Sequence, residues 1–223
     1  MLQARPHCPW SLTRTLVVAW VLALVASPVA ATSVLQFSVD ELSDHAALII
    51  EGRVLSAEPR VESPGGKIAT YVRIAVLDRL KGPDVGNEIE LRFVGGTVGA
   101  HTLEVSDMVM PAVGETGIYF VESLHARQVN PLVGWSQGHF TERVDPQTGR
   151  RGVYTPAGRA VLGIRATGAG AQERQVLPGT GTALGLLVEE VLTPARPAMS
   201  AADFKAEIRR RIAARPPVRG NAP

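Results

Sequence analysis

The chain has 223 residues, 23 of them basic and 21 acidic, and a formal net charge of +2. A single cysteine, Cys8, excludes an intramolecular disulfide framework and a site built from several thiolates. Charge is divided along the chain: residues 32–195 carry a net −5 and residues 196–223 a net +5, which excludes a uniformly basic nucleic-acid binder.

Arg5 and Arg14 form a positive n-region, Thr15–Ala26 is an uncharged apolar run, and Val29 and Ala31 place small residues before a cleavage position. This is the layout of a signal peptide cleaved after Ala31. The run is shorter than the roughly 20 residues of a membrane span. The expected product is an exported chain, residues 32–223, delivered to periplasm or medium, without Cys8 and without a membrane span. Its length suits one domain with a sizeable core.

Ser38 and Glu41 have capping-box spacing and predict a short helix to about His45. Leu48–Leu55 is apolar and β-branched around Gly52, where a glycine marks a bulge or bend. Tyr71–Leu80 alternates with period two, putting Val72, Ile74, Val76 and Asp78 on one face. Glu88–Val94 alternates again, with Ile89, Leu91 and Phe93 inward, and Gly117–Val121 is a further strand. Residues 132–144 read as strands bent at Gly134 and Gly138. The turn Asp145–Gly149 then brings Gly152–Thr155 back against them. Close-set short strands predict a mainly β fold, a small antiparallel OB-like barrel over residues 32–160, with the short N-terminal helix and a C-terminal helix.

Residues 161–199 read as a flexible segment, glycine-rich at Thr167–Ala171 and Leu177–Thr182, with a short apolar helix at Ala183–Leu192. Ser200–Ala214 is an amphipathic helix with Phe204, Ile208 and Ile212 on one stripe. Residues 215–223 form a disordered tail. Arg209, Arg210, Arg211, Arg215 and Arg219 suit an acidic partner or anionic lipid. The stripe is thin, so the expected arrangement is a helix docked on the barrel with its arginines in water.

Gly134-Trp-Ser-Gln-Gly138 matches the G-x-S-x-G nucleophile elbow. A hydrolase would use Ser136 as nucleophile with a histidine base. Downstream of Ser136 the only histidine is His139, no acid lies between them, and the βαβ rhythm of that fold is missing. The competing reading makes Ser136 an ordinary residue of a bent strand. His101, Glu104 and Asp107 invite a metal reading, but the histidines at 45, 101, 125 and 139 are scattered singly, whereas zinc needs three or four converging ligands. Gly95-Gly96-Thr-Val-Gly99 has no following helix to bind a phosphate, and Gly179, Gly181 and Gly185 miss the dinucleotide spacing. No metal and no cofactor is expected.

Several pieces in order carry a resemblance: Asp40-Glu41-Leu42, Glu51-Gly52-Arg53-Val54, the strand ending Leu80-Lys81-Gly82, Gly95-Gly96, Val113-Gly114-Glu115 before Ile118-Tyr119-Phe120, and Gly134-x-Ser-Gln-Gly138-x-Phe140. Together, over about residues 38–144, they resemble a group of uncharacterised small secreted bacterial proteins. The resemblance implies an OB-type barrel akin to the netrin-like, tissue-inhibitor-of-metalloproteinase fold. Some of that group are encoded beside secreted matrixin-like metalloproteases, which implies inhibition or escort of a protease. The netrin-like inhibitors bind zinc through an N-terminal cysteine; here the expected N-terminus is Thr32-Ser33, so no active residue is carried over.

The leading expectation is an exported, non-catalytic barrel that binds a protease or another envelope component. Trp135, Gln137, His139 and Phe140 are the candidate contact patch for a protein partner, because exposed aromatic residues anchor interfaces. The alternatives are a small secreted serine hydrolase using Ser136 and a structural envelope protein held by the basic tail. Oligomeric state has no signature in the sequence.

Overall fold

Ser38 starts the first helix, α1 (Val39–His45), as its spacing predicts. Its hydroxyl accepts from the Glu41 amide at 3.1 Å, and the Glu41 carboxylate accepts from the Ser38 amide at 2.8 Å. The computed structural model describes residues 33–62, 66–145, 149–165, 175–189 and 196–215. The chain divides into two units, Met1–Ala31 and Thr32–Pro223. The first unit, with the expected signal segment, lies outside the described residues, as do Thr167–Ala171 and the end of the expected tail.

The strands, in order, are β1 (Ser33–Leu35), β2 (Leu48–Glu62), β3 (Lys67–Lys81), β4 (Glu88–Val94), β5 (Gly96–Val98), β6 (His101–Leu103), β7 (Thr116–Val121), β8 (His139–Val144), β9 (Arg151–Tyr154), β10 (Val161–Ile164), β11 (Val176–Pro178) and β12 (Leu186–Val188), followed by α2 (Ala201–Ala213). Six form one antiparallel sheet in the order β4-β3-β2-β7-β8-β9, and β1–β11, β5–β6 and β10–β12 are separate antiparallel pairs. The mainly β, antiparallel expectation holds. The closed OB-like barrel is not found among the described residues. Other chain segments occupy both sheet edges: the Val153 amide of β9 donates to the Met199 carbonyl, and the Val94 amide of β4 donates to the Val129 carbonyl, each at 2.9 Å.

Three local expectations are corrected. Residues 132–144 are not continuous strand. Gly134 (φ 58°) and Trp135 (φ 59°) are both left-handed, which breaks the extended chain, and Trp135–Gly138 is a 3-10 turn. The helix expected at Ala183–Leu192 is replaced, in its described part, by β12, whose backbone pairs with β10 after a left-handed Gly185. Residues 190–192 lie outside the described residues. Finally, Asp78 leaves the face of Val72, Ile74 and Val76. The β2–β3 register shifts between Glu51 and Gly52, so Leu77 is an extra residue and Asp78 turns to the other face; a second shift, between Ile49 and Ile50, follows at Leu80. Gly52 makes room for this bulge: a Cβ there would lie 2.4 Å from Ile74 Cγ2 and 2.9 Å from the Ala75 carbonyl oxygen.

Alternation along β2 and β7 divides the core. Leu48, Ile50, Tyr119 and Val121 join Val72, Ile74, Leu91 and Phe93 in one cluster. Ile49, Ile118 and Phe120 join Phe140, α1 and α2 in the other. Phe204 and Ile208 of α2 are completely buried, and the Phe204 ring lies 4.9 Å from that of Phe140. No helix of the described residues is long and apolar enough to cross a membrane.

Arg209 and Arg210 stay exposed as expected, whereas Arg211 is largely and Arg215 partly withdrawn from water. Arg211 bonds Asp40 at 3.0 Å and Glu207 at 2.5 Å, Arg209 bonds Asp78 at 2.5 Å, and Arg215 pairs with Asp44. The acidic body and basic C-terminal segment are therefore partners within one chain. Burial of Phe204 outweighs the outer ion pairs. Phe204→Ala should lower unfolding free energy by about 3–5 kcal/mol and Arg215→Ala by less than about 1 kcal/mol, as read by urea denaturation. The reverse order would mean that charge, not apolar contact, seats the helix.

Candidate functional site

The turn Trp135–Gly138 brings the G-x-S-x-G motif against two distant segments. The Gln137 carboxamide is buried. Its Oε1 accepts from the Phe37 amide at 2.8 Å, and its Nε2 donates to the Leu35 carbonyl at 2.9 Å. One side chain thus bonds the free edge of the N-terminal segment as a neighbouring strand would. The opposite edge is held by residues 175–184: Gln36 donates to the Gln175 carbonyl at 2.9 Å and Leu184 donates to that of Phe37 at 2.8 Å.

Ser136 is also buried. Its hydroxyl lies between the carbonyls of Gly179 and Gly181, the second at 3.0 Å, and its single proton is committed there. Among the described residues no hydrogen bond joins it to a histidine, and the crevice lined by Ser136, Phe140 and Thr182 does not admit a water molecule. Ser136 lies in the 3-10 turn Trp135–Gly138 rather than in a bent strand.

His139 Nε2 lies 2.6 Å from Glu115 Oε1, and the Tyr119 hydroxyl donates to the same oxygen at 3.3 Å. Burial pushes the Glu115 carboxyl up, the His139 bond pulls it down further, and the balance falls below the usual value. Burial, with the nearby Glu115 charge, raises the Tyr119 phenol and keeps it protonated. His139 Nδ1 is buried without a hydrogen-bond partner. Glu115, read from sequence only as part of a turn, is the group that orients His139.

The expected contact patch therefore separates. Gln137, His139 and Phe140 are each 1% exposed and do not form a surface: Gln137 is bonded to the N-terminal segment, His139 to Glu115, and Phe140 packs in the core beside Phe204. Trp135 stays partly exposed. It abuts Gly179: a Cβ there would lie 3.1 Å from Trp135 Cε3 and 2.9 Å from Asp107 Cβ. Trp135 and Asp107 (φ 61°) are the two left-handed non-glycine residues among those described, and they meet at this glycine. Such backbone costs about 1–3 kcal/mol each and concentrates at functional sites. Asp107 also borders an open cavity of about 460 Å³, with Thr97, Glu104, Ser106, Met108 and Met110 on its walls. Asp107 Oδ2 is buried and unpartnered. His101 and Glu104 do not join Asp107 as ligands: among the described residues no group of three or more His, Cys, Asp or Glu side chains is placed to hold a metal.

A second charged cluster escapes the motif search. Glu142 on β8, Glu51 on β2, Asp78 on β3 and Lys205 on α2 converge, with Lys205 Nζ bonded to Glu51 and, at 2.9 Å, to Asp78. Burial first, and then the Glu51 carboxylate beside it, push the Glu142 carboxyl up to about 7. The sequence signal is the alternation His139–Val144, which places Glu142 on the face of Phe140.

Removing the Gln137 carboxamide strands two backbone groups. Gln137→Leu should cost about 2–4 kcal/mol, and Ser136→Ala only about 1 kcal/mol, because the serine change strands no backbone N–H. Equilibrium denaturation of both variants checks this. An equal, small loss would remove the clamp. Comparison with protein-family models, with curated proteins and with solved structures found no match.

Proposed function

We propose that the protein is an exported, non-catalytic binding protein that engages a protein partner at the corner where Trp135, Gly179 and Asp107 meet. The observation that carries this reading is the use of G-x-S-x-G as a staple, with the Ser136 hydroxyl committed to backbone carbonyls and the Gln137 carboxamide to the N-terminal segment. Catalysis by Ser136 would require its proton to pass to a base, and both its partners are acceptor oxygens without basic character. A partly exposed tryptophan is the kind of anchor that dominates interface energetics, and its neighbour Asp107 lines a cavity.

Export is supported by the charged, apolar and small-residue layout of residues 1–31. The first described strand, β1, begins just beyond the expected cleavage position. Membership of the secreted netrin-like group, with its OB-type architecture, is part of the same proposal. It is supported by the long β2–β3 hairpin, which continues into β4 as a meander and whose bulges bend the sheet. A secreted protease or another envelope component is the partner this reading favours.

The test uses the full chain expressed with its leader. Fractionation should recover it outside the cytoplasm, and affinity capture there should return a partner that Trp135→Ala, folded as judged by circular dichroism, fails to retain. A cytoplasmic chain, no partner, or a partner held equally by Trp135→Ala overturns the proposal. Labelling by a fluorophosphonate probe that Ser136→Ala abolishes would assign a serine hydrolase instead.

A further inference from the structure

Glu142 lies beneath α2 at 8% exposure, and its Oε1 is buried without a hydrogen-bond partner. The groups facing it come from every element around it. Glu51 of β2 stands beside it, Lys205 of α2 and Arg151 of β9 attract it from farther away, and the Tyr119 phenol of β7, on the opposite face of the sheet, stays neutral. Lys205 is shared between Glu51 and Asp78, and Arg209 is bonded to Asp78 at 2.5 Å. With both helix cations bonded to other carboxylates, a charge on Glu142 would be buried without a contacting counter-ion.

We propose that this cluster is a pH-controlled latch, in which a proton on Glu142 keeps α2 seated on the sheet and its loss to solvent loosens the helix and uncovers the apolar face of Phe140 and Val153. The inference is independent of what the protein binds. Geometry supplies the coupling, because Lys205 reaches from the helix into the same carboxylate cluster that Glu142 completes. A negative Glu142 would be buried beside Glu51, a cost that the attraction of Lys205 does not offset and that lifting the helix relieves by returning the carboxylate to water. The carboxyl is raised from 4.5 to about 7. A raised group contributes its full stabilisation below its unfolded value, and that contribution is lost as pH rises through the folded value. The latch is therefore closed in acid and eased across this window. Phe204 and Ile208 still hold the helix by apolar contact, so the outcome is a shifted opening equilibrium rather than a lost helix.

Hydrogen–deuterium exchange of the full chain at about pH 5 and about pH 8, corrected for intrinsic rates, tests the latch. Protection of α2 amides should fall on the order of tenfold at the higher pH while β3 is unchanged. Glu142→Gln should abolish the difference and keep the helix protected at both values. A wild-type helix with pH-independent protection, or a Glu142→Gln helix that still responds, overturns the proposal. Should that variant not fold, carboxyl carbon chemical shifts of the wild type decide it. A Glu142 midpoint near 7 followed by α2 amide shifts supports the latch, and a midpoint near 4.5 overturns it.

Discussion

The carboxamide of Gln137 stands where the N-terminal segment would otherwise need another strand. It bonds an amide on Phe37 and a carbonyl on Leu35, groups a hundred residues away in the chain. Buried backbone groups must be paired, so the position of residues 33–39 depends on this side chain. The neighbouring Ser136 does the same for the Gly179–Gly181 turn. Together they draw the N-terminal segment and the Gly179–Gly181 turn onto the turn before β8, and that junction sets Trp135 beside Asp107. A pentapeptide with the outline of a nucleophile elbow thus works as a structural joint.

The second organising contact is α2 on the sheet. Phe204 and Ile208 supply the apolar seat, and the basic side chains of the helix find acids on α1, β2 and β3. Surface pairs of this kind contribute little individually, but they fix where along the sheet the helix lies. The same register carries Lys205 into the carboxylates around Glu142. Docking and pH response therefore share one set of atoms. A similar clamp holds the β2–β3 arm, where Arg92 grips Glu62 through two bonds of 2.6 Å. With the Tyr71 hydroxyl adding to the Arg92 bonds, the Glu62 carboxyl is held down to about 2. A lowered group stabilises above its unfolded value, so this clamp persists through the window in which Glu142 titrates and loosens only in strong acid.

Much of the fold was legible because its signals are local. The Ser38–Glu41 capping box, the period-two runs of β4 and of β3 as far as Val76, and the Phe204–Ile208 stripe are each decided within a few residues, and each appears as read. The failures have non-local causes. Asp78 changes face because of a bulge set by Gly52 on the partner strand, which alternation along β3 alone does not encode. Leu186–Val188 is a strand because β10 is there to pair with it. The burial of Gln137, His139 and Phe140 follows from two successive left-handed residues, and Trp135 in that conformation contradicts its own propensity. The −5 and +5 halves of the chain meet in the pairs of Arg209, Arg211 and Arg215 with Asp78, Asp40 and Asp44, and which arginine finds which acid is set by the docking, not by composition. The sequence marks Asp107 only as a metal candidate and Glu115 only within the Val113-Gly114-Glu115 piece; only the folded chain brings them to Trp135 and His139.

The most direct measurement of the staple is solution NMR of the folded chain, following the Ser136 hydroxyl proton and the Gln137 carboxamide protons. Protons held by Gly179, Gly181 and Leu35 carbonyls should give observable, slowly exchanging signals with cross-bond couplings or contacts to those residues. Exchange at the rate of free side chains, with no contact to Leu35, Phe37 or Gly181, would contradict the account.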